Sequence, residues 1–252
     1  MILSPLQVHF FISGKIYTFH LSNHQTMCGR YTLSSKQIQI ERRFNARAEA
    51  VIKETYNAAP SHPLPVIAAD FAGKILFFRW GLSMPEKGYR SSHLLINIKA
   101  ETLFEKEYFS RLVTHQRCIV PADGFYEWER RGKISQPYFF RMKEGALFAF
   151  AGIWEKYLLP GGETMYAFAI ITTQANELMG RIHHRMPVIL RKEDESRWLN
   201  RPVEKDFLQE VMHSLPAGEM ESYPVSMAVN NPGINDPSLI RPVHLPGFPS
   251  LF

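Results

Sequence analysis

Cys28 is the first residue in the chain whose type and position suggest chemistry. It follows Met27 and precedes Gly29 and Arg30. If translation starts at Met27, removal of that Met leaves an N-terminal cysteine, whose α-amine, with an ordinary pKa of about 7.7–8.0, sits beside a thiol of about 8.5. Such a 1,2-aminothiol condenses with an aldehyde to an imine and then closes through sulfur to a thiazolidine ring. The bland alternative is a small buried hydrophobe. Against it stand the position after a Met and the neighbouring Arg30, whose cation would lower the thiol pKa.

Three further stretches set polar groups among aromatic or strand-like residues. In Pro121-Ala122-Asp123-Gly124-Phe125-Tyr126-Glu127-Trp128, strand alternation puts Glu127 on the face opposite Tyr126 and Trp128. It reads either as a solvent-facing glutamate beside Glu129 or as a carboxyl in an aromatic cleft, its pKa raised for general acid–base work. In Ile182-His183-His184-Arg185-Met186-Pro187, adjacent histidines do not converge on one ion in a helix or a strand. No acidic ligand set accompanies them, so no metal is expected. One histidine moving a proton, with Arg185 binding an anion, is the better reading. In Ile96–Glu101, alternation places Asn97, Lys99 and Glu101 on one side. Asn97 suits a carbonyl or alkoxide and Lys99 a phosphate, although a solvated strand face explains both.

The elements that must position these residues are short and mostly extended. Helical character is confined to Gln37–Phe44, to Thr102–Leu112 with Phe104, Tyr108 and Leu112 four apart, and to Asn176–Arg181, Glu193–Leu199 and Glu204–Met212. Strands are expected at Leu64–Ala68 and Ile75–Trp80, joined by Asp70-Phe71-Ala72-Gly73. Others fall at Cys118–Pro121, Phe125–Trp128, Tyr138–Met142, Leu147–Ile153 and Ala167–Thr173. Hairpin-length turns such as Arg130-Arg131-Gly132-Lys133 imply antiparallel pairing. The βαβ alternation of a doubly wound fold is missing, as are a Walker loop and a G-x-G-x-x-G. The expectation is a single α+β domain with a curved, barrel-like, mainly antiparallel sheet and peripheral short helices.

Composition bounds the rest. With 252 residues, 45% hydrophobic, 13% aromatic and 21% charged, the chain has a substantial core and is not disordered, collagen-like or coiled-coil. No apolar run reaches the roughly 20 residues that span a bilayer, so no membrane partner is expected. Two cysteines exclude a disulfide scaffold and fit a reduced intracellular compartment, cytoplasm or nucleoid in a bacterium. The net charge of +5 permits a nucleic-acid partner without demonstrating one. Met1–Thr26 carries one formal charge, Lys15, and no basic run before its apolar stretch, which is not the pattern of a secretory signal. It reads as a leader that is disordered, cleaved, or never made because of a miscalled start. The domain then covers 27–243, with 244–252 as a tail.

Eight short motifs in order give the chain a resemblance. They are Met27-Cys28-Gly29-Arg30-Tyr31, Tyr56-Asn57-Ala58-Ala59-Pro60, Arg79-Trp80-Gly81-Leu82, Asn97-x-Lys99-Ala100-Glu101-Thr102, the Pro121–Trp128 stretch, Ala151-Gly152-Ile153-Trp154, Ile182-His183-x-Arg185-Met186-Pro187 and Val225-Ser226-x-x-Val229-Asn230. Together they make Met27 to about Val243 similar to the SOS-response-associated peptidase (SRAP) family of abasic-site processing proteins. The resemblance implies a covalent sensor and shield of abasic sites in single-stranded DNA, with Cys28, Asn97, Glu127 and His183 as catalytic residues. It implies phosphate contacts at Arg30, Lys99 and Arg185. Lys99 departs from the family's Asn-x-Arg-x-Glu pattern and gives up bidentate geometry. Trp80 and Trp128 are candidates for base stacking or simply for core packing. No cofactor is implied, and the protein is expected to act as a monomer. Two rivals remain: a cysteine peptidase that cuts its own leader, and a non-covalent single-strand binder with a structural Cys28.

Overall fold

The computed structural model describes residues 7–12, 15–20, 29–86, 89–132, 134–159, 161–200 and 202–244. In chain order the strands are β1 (Gln7–Ile12), β2 (Lys15–His20), β3 (Arg30–Leu33), β4 (Arg47–Ala48), β5 (Thr55–Ala58), β6 (Pro63–Ala68), β7 (Lys74–Trp80), β8 (Leu82–Glu86) and β9 (Tyr89–Leu95). They continue with β10 (Asn97–Lys99), β11 (Arg117–Ala122), β12 (Gly124–Arg131), β13 (Ile134–Met142), β14 (Phe148–Leu158), β15 (Thr164–Gln174), β16 (Arg185–Pro187), β17 (Ile189–Leu190) and β18 (Met220–Pro224). Four α-helices punctuate them: α1 (Gln37–Phe44), α2 (Glu107–His115), α3 (Lys192–Leu199) and α4 (Lys205–Val211).

The centre is a closed five-stranded barrel. Strands β7, β6, β11, β14 and β15 are neighbours in that order, and β15 pairs back onto β7. The closing seam is parallel, with Ala167 opposite Arg79 and Phe168 opposite Trp80, whereas the other four junctions are antiparallel. Closure leaves no open edge within the ring. Every residue of β11 is buried, because one face lines the barrel and α2, α3 and β3 cover the other. Phe78 stacks on Tyr166 at 5.0 Å, and Trp80 lies parallel to Phe168 at 6.3 Å. Each such ring contributes about 1.5–3 kcal/mol by leaving water.

A second sheet, ordered β18-β13-β12-β3-β5 and antiparallel throughout, packs beside the barrel. Its β12–β13 hairpin turns between Arg131 and Ile134, with Gly132 in the left-handed region. Strands β1, β2, β9 and β8 form a third sheet, the β1–β2 hairpin meeting β9 at His20 and His93. Arg117, 1% exposed, ties helices to the barrel. Its guanidinium donates to Val113 O and Thr114 O of α2, and to Trp198 O and Asn200 O at the end of α3, at 2.6–2.7 Å. A cation is favoured at helix C-termini.

Two expected helices are shorter than their periodicity suggests. Residues 100–105 are held in tight turns by Leu103 N–H to Ala100 O and Glu105 N–H to Thr102 O, so α2 begins only at Glu107. In Asn176–Arg181 only Met179–Arg181 is helical, a single 3-10 turn that the Asn176 side chain caps by accepting Met179 N–H at 2.9 Å.

Candidate functional site

Cys28 lies outside the described residues, and the chain is described from its neighbour, Gly29. A Cβ on Gly29 would stand 3.9 Å from Ile96 Cδ1, so this residue packs directly against the segment that carries Asn97. From there β3 runs antiparallel to β12, with Arg30 opposite Tyr126, Tyr31 opposite Phe125 and Thr32 opposite Gly124. The same register carried one residue further sets Gly29 opposite Glu127. The start of β3 therefore lies between the Glu127 strand and the Asn97 strand.

Several groups fix β3 there. Tyr31 is clamped edge-on by Trp80 at 5.2 Å and by Phe150 at 5.8 Å. Asp123, 8% exposed, accepts from Thr32 Oγ1 at 2.6 Å, and from the N–H and hydroxyl of both Ser34 and Ser35 at 2.7–3.0 Å. Gly124 is required by close approach, since a Cβ would fall 2.0 Å from the Phe139 ring. Glu127 is 4% exposed, so the solvent-facing reading gives way to a carboxyl held inside the fold.

The second wall is built around β15. Asn97 and Lys99 of β10 lie beside Ile170 and Thr172 on one edge. Pro187 and Arg185 of β16 lie beside Thr172 and Gln174 on the other. Lys99 is exposed and Asn97 half-buried. Arg185 is engaged within the fold. Its side chain is 7% exposed and grips the Glu101 carboxylate through both Nη atoms, at 2.5 and 2.8 Å, while Nη2 also donates to Thr172 O at 2.7 Å. Both Nη atoms are thus engaged in an internal ion pair, while Nε has no partner among the described residues. Arg185 and the Lys99 neighbourhood together hold the Glu101 carboxyl below the ordinary carboxylate range, with the Arg185 hydrogen bonds the largest cause.

His183 is half-buried beside this pair. Its Nδ1 lies 3.1 Å from Arg185 N, whose N–H it can accept, and 3.4 Å from Arg185 O, to which it can donate in the other tautomer. Burial lowers its pKa first, and the stacked His184 ring and the cations of Arg130 and Arg185 lower it further. A neutral imidazole that offers an N–H, ringed by positive charge, suits proton transfer next to an anionic ligand.

Arg30 and Trp128 share a third wall, formed by the 3-10 turn Met227–Asn230 and the loop after it. Arg30 donates through Nη1 to Asn57 Oδ1 at 2.9 Å and to Val229 O at 2.8 Å. Trp128, half-buried, donates its indole N–H to Asn230 Oδ1 at 2.7 Å. Trp80 does not join it. It is wholly buried at the barrel seam with its indole N–H on Ile96 O at 3.0 Å, so of its two readings core packing holds and base stacking does not. Gly81 after it sits at φ 123, a conformation that favours glycine, with Leu94 close above. Asn57, Glu101 and Asp123 stood inside the sequence motifs, but nothing local signalled that their partners lie far along the chain. Among the described residues no group of His, Cys, Asp or Glu is arranged to hold a metal, and no helix is long and apolar enough to cross a membrane.

Comparison with known proteins follows the same map. Residues 27–232 match the family model described as SOS response associated peptidase (SRAP). The chain is 43% identical over 222 residues to the abasic site processing protein YoqW of Bacillus subtilis, covering 85% of this chain and 99% of that one. It is 30% identical over 236 residues to the abasic site processing protein HMCES of Gallus gallus, covering 78% of this chain and 68% of that one. A crystal structure of a protein from Bacteroides thetaiotaomicron superimposes with a TM-score of 0.78 at 28% identity, covering 86% of this chain and all of the other. The barrel, the strand that leads from Cys28 and the order of the motifs around it therefore agree with the sequence comparison, and the chain belongs to the SOS response associated peptidase family.

Proposed function

We propose that this protein captures abasic sites in single-stranded DNA as a covalent adduct at Cys28. The observation that carries the reading is the delivery of Gly29, one peptide bond from Cys28, between the Glu127 strand and the Ile96–Asn97 segment. The names of the relatives, abasic site processing proteins, support the substrate class.

The abasic sugar opens to an aldehyde at C1′. A free Cys28 amine adds to that carbon and water leaves, giving a Schiff base. The thiol then adds across the C=N bond, sulfur to carbon and proton to nitrogen, closing a thiazolidine with no oxidant or reductant involved. Glu127 and His183 move the protons for ring opening and dehydration, and Asn97 orients the sugar oxygen. Two bonds to one carbon outlast an imine and shield the strand from β-elimination. Exposed Lys99 and Arg130 contact phosphates, and Trp128 stacks on a base.

Incubation with abasic single-stranded DNA followed by a denaturing gel tests this reading. Wild-type protein leaves a shifted band, and Cys28→Ser leaves none. Cys118→Ala reacts normally, because that thiol is wholly buried and burial pushes its pKa up. A shifted band from Cys28→Ser would overturn the assignment.

A further inference from the structure

Asn57 is 2% exposed at the end of β5, and each polar atom of its amide is engaged. Oδ1 accepts from Arg30 Nη1 at 2.9 Å. Nδ2 points at three backbone carbonyls, Val229 O at 3.3 Å, Asn231 O at 3.0 Å and Ile234 O at 3.0 Å. Val229 O also receives Arg30, so one carbonyl joins the β3 cation to the amide. The segment it belongs to is otherwise a loop of short turns. Ser226 Oγ caps Ala228 N–H at 3.2 Å, and Asn231 Oδ1 accepts Gly233 N–H at 3.0 Å. Asn235 bridges back to β5, accepting Tyr56 N–H at 2.6 Å and donating to Glu54 O at 3.0 Å. Asn230 of the same segment holds the Trp128 indole.

We propose that Asn57 is a positioning residue for the capture site, its buried carboxamide locking Arg30 and the segment 229–234 in one arrangement and thereby setting both the entry of β3 and the pose of the Trp128 ring. The proposal rests on the capture reading for its kinetic consequence but not for its structural one. The polarity of the amide is what matters. A carboxylate at this position keeps the acceptor for Arg30 and turns the donor into an oxygen facing three carbonyl oxygens, which drives the segment away. Trp128 then loses its anchor at Asn230.

The test uses Asn57→Asp, Asn230→Ala and the double variant. Three of the four tryptophans, Trp80, Trp154 and Trp198, are at most 4% exposed, so acrylamide quenching of fluorescence reports on Trp128. Asn57→Asp is expected to raise quenching and to slow cross-linking at saturating abasic DNA by about tenfold, the scale of a misplaced reacting group. Asn230→Ala, at an exposed residue, raises quenching too, and the double variant quenches no more than Asn57→Asp alone because both changes act on one segment. Wild-type quenching and rate in Asn57→Asp, with only a lower melting temperature, would overturn the proposal, as would additive quenching in the double variant. If Asn57→Asp does not fold, Asn230→Ala decides, supporting the proposal by raised quenching with slower cross-linking and overturning it by a wild-type rate. Should protein whose mass shows it to begin at Cys28 form no adduct, the covalent reading falls while the quenching comparison still stands.

Discussion

Removing Arg185 should damage the fold and leave the salt dependence of DNA binding alone. Arg185→Ala deletes two charge-assisted bonds to Glu101 and one bond to Thr172 O. Breaking a fully buried ion pair costs about 3–5 kcal/mol. The Glu101 side chain is 47% exposed and regains water, so about 2–3 kcal/mol is expected here. A protein of this size loses about 2–4 °C per kcal/mol, which places the drop in melting temperature at about 4–12 °C. The pair also has a pH signature. Because the folded pKa of Glu101 is depressed, its contribution is present above the ordinary value of 4.5 and is lost as pH falls through the folded value. The stability gap between wild type and Glu101→Gln should therefore be open at neutral pH and close in acid. Noncovalent binding by a Cys28→Ala protein supplies the second assay. Each single-strand phosphate contact adds about 0.7 to the log–log salt slope, so Lys99 and Arg130 together give about −1.4, and Lys99→Ala halves it. Arg185→Ala keeps the wild-type slope. A variant that melts with wild type but loses about 0.7 of slope would refute this reasoning and return Arg185 to the phosphates.

The leader and the sheet packing yield two further predictions. Protein whose mass confirms residues 1–26 and Met27 intact should form no thiazolidine, since an amide nitrogen makes no Schiff base, whereas protein beginning at Cys28 should react; equal yields from the two would show the α-amine to be dispensable. Gly124→Ala drives a methyl group into the Phe139 ring and should cost more than about 3 kcal/mol, read as lost solubility or a collapsed thermal transition; an unshifted transition would contradict the packing described.

Local signals in the sequence were strong where neighbouring residues decide the structure. Helix α1 spans the expected Gln37–Phe44 and ends at Asn45 in the left-handed region. The β6–β7 and β12–β13 hairpins follow from alternation and from turn residues. Features fixed by distant partners were not legible. Arg185 and Glu101 stand 84 residues apart in sequence, and nothing local pairs them until β15 brings β10 and β16 together. Trp80 and Trp128 are alike as residue types, and only barrel closure buries one and leaves the other at the surface. The turn at Met227–Asn230 has little helix signal of its own, and its Val229 carbonyl is held by Asn57 and Arg30 from far earlier in the chain.

The parallel seam also dictates when the site comes into being during folding. Pairing Arg79 and Trp80 with Ala167 and Phe168 closes a loop of most of the barrel, so the entropy of that closure must be met before its contacts repay it. The hairpins β6–β7 and β14–β15 can zip locally and early, but Ile96, which receives the Trp80 indole and backs Gly29, is placed only once the two hairpins meet. Loop-closure entropy therefore makes seam closure the step expected to come last. On the proposed capture chemistry, chains still open at the seam would carry Cys28 without the Gly29–Ile96 packing beside it, and selectivity for an abasic aldehyde would come only with the finished barrel.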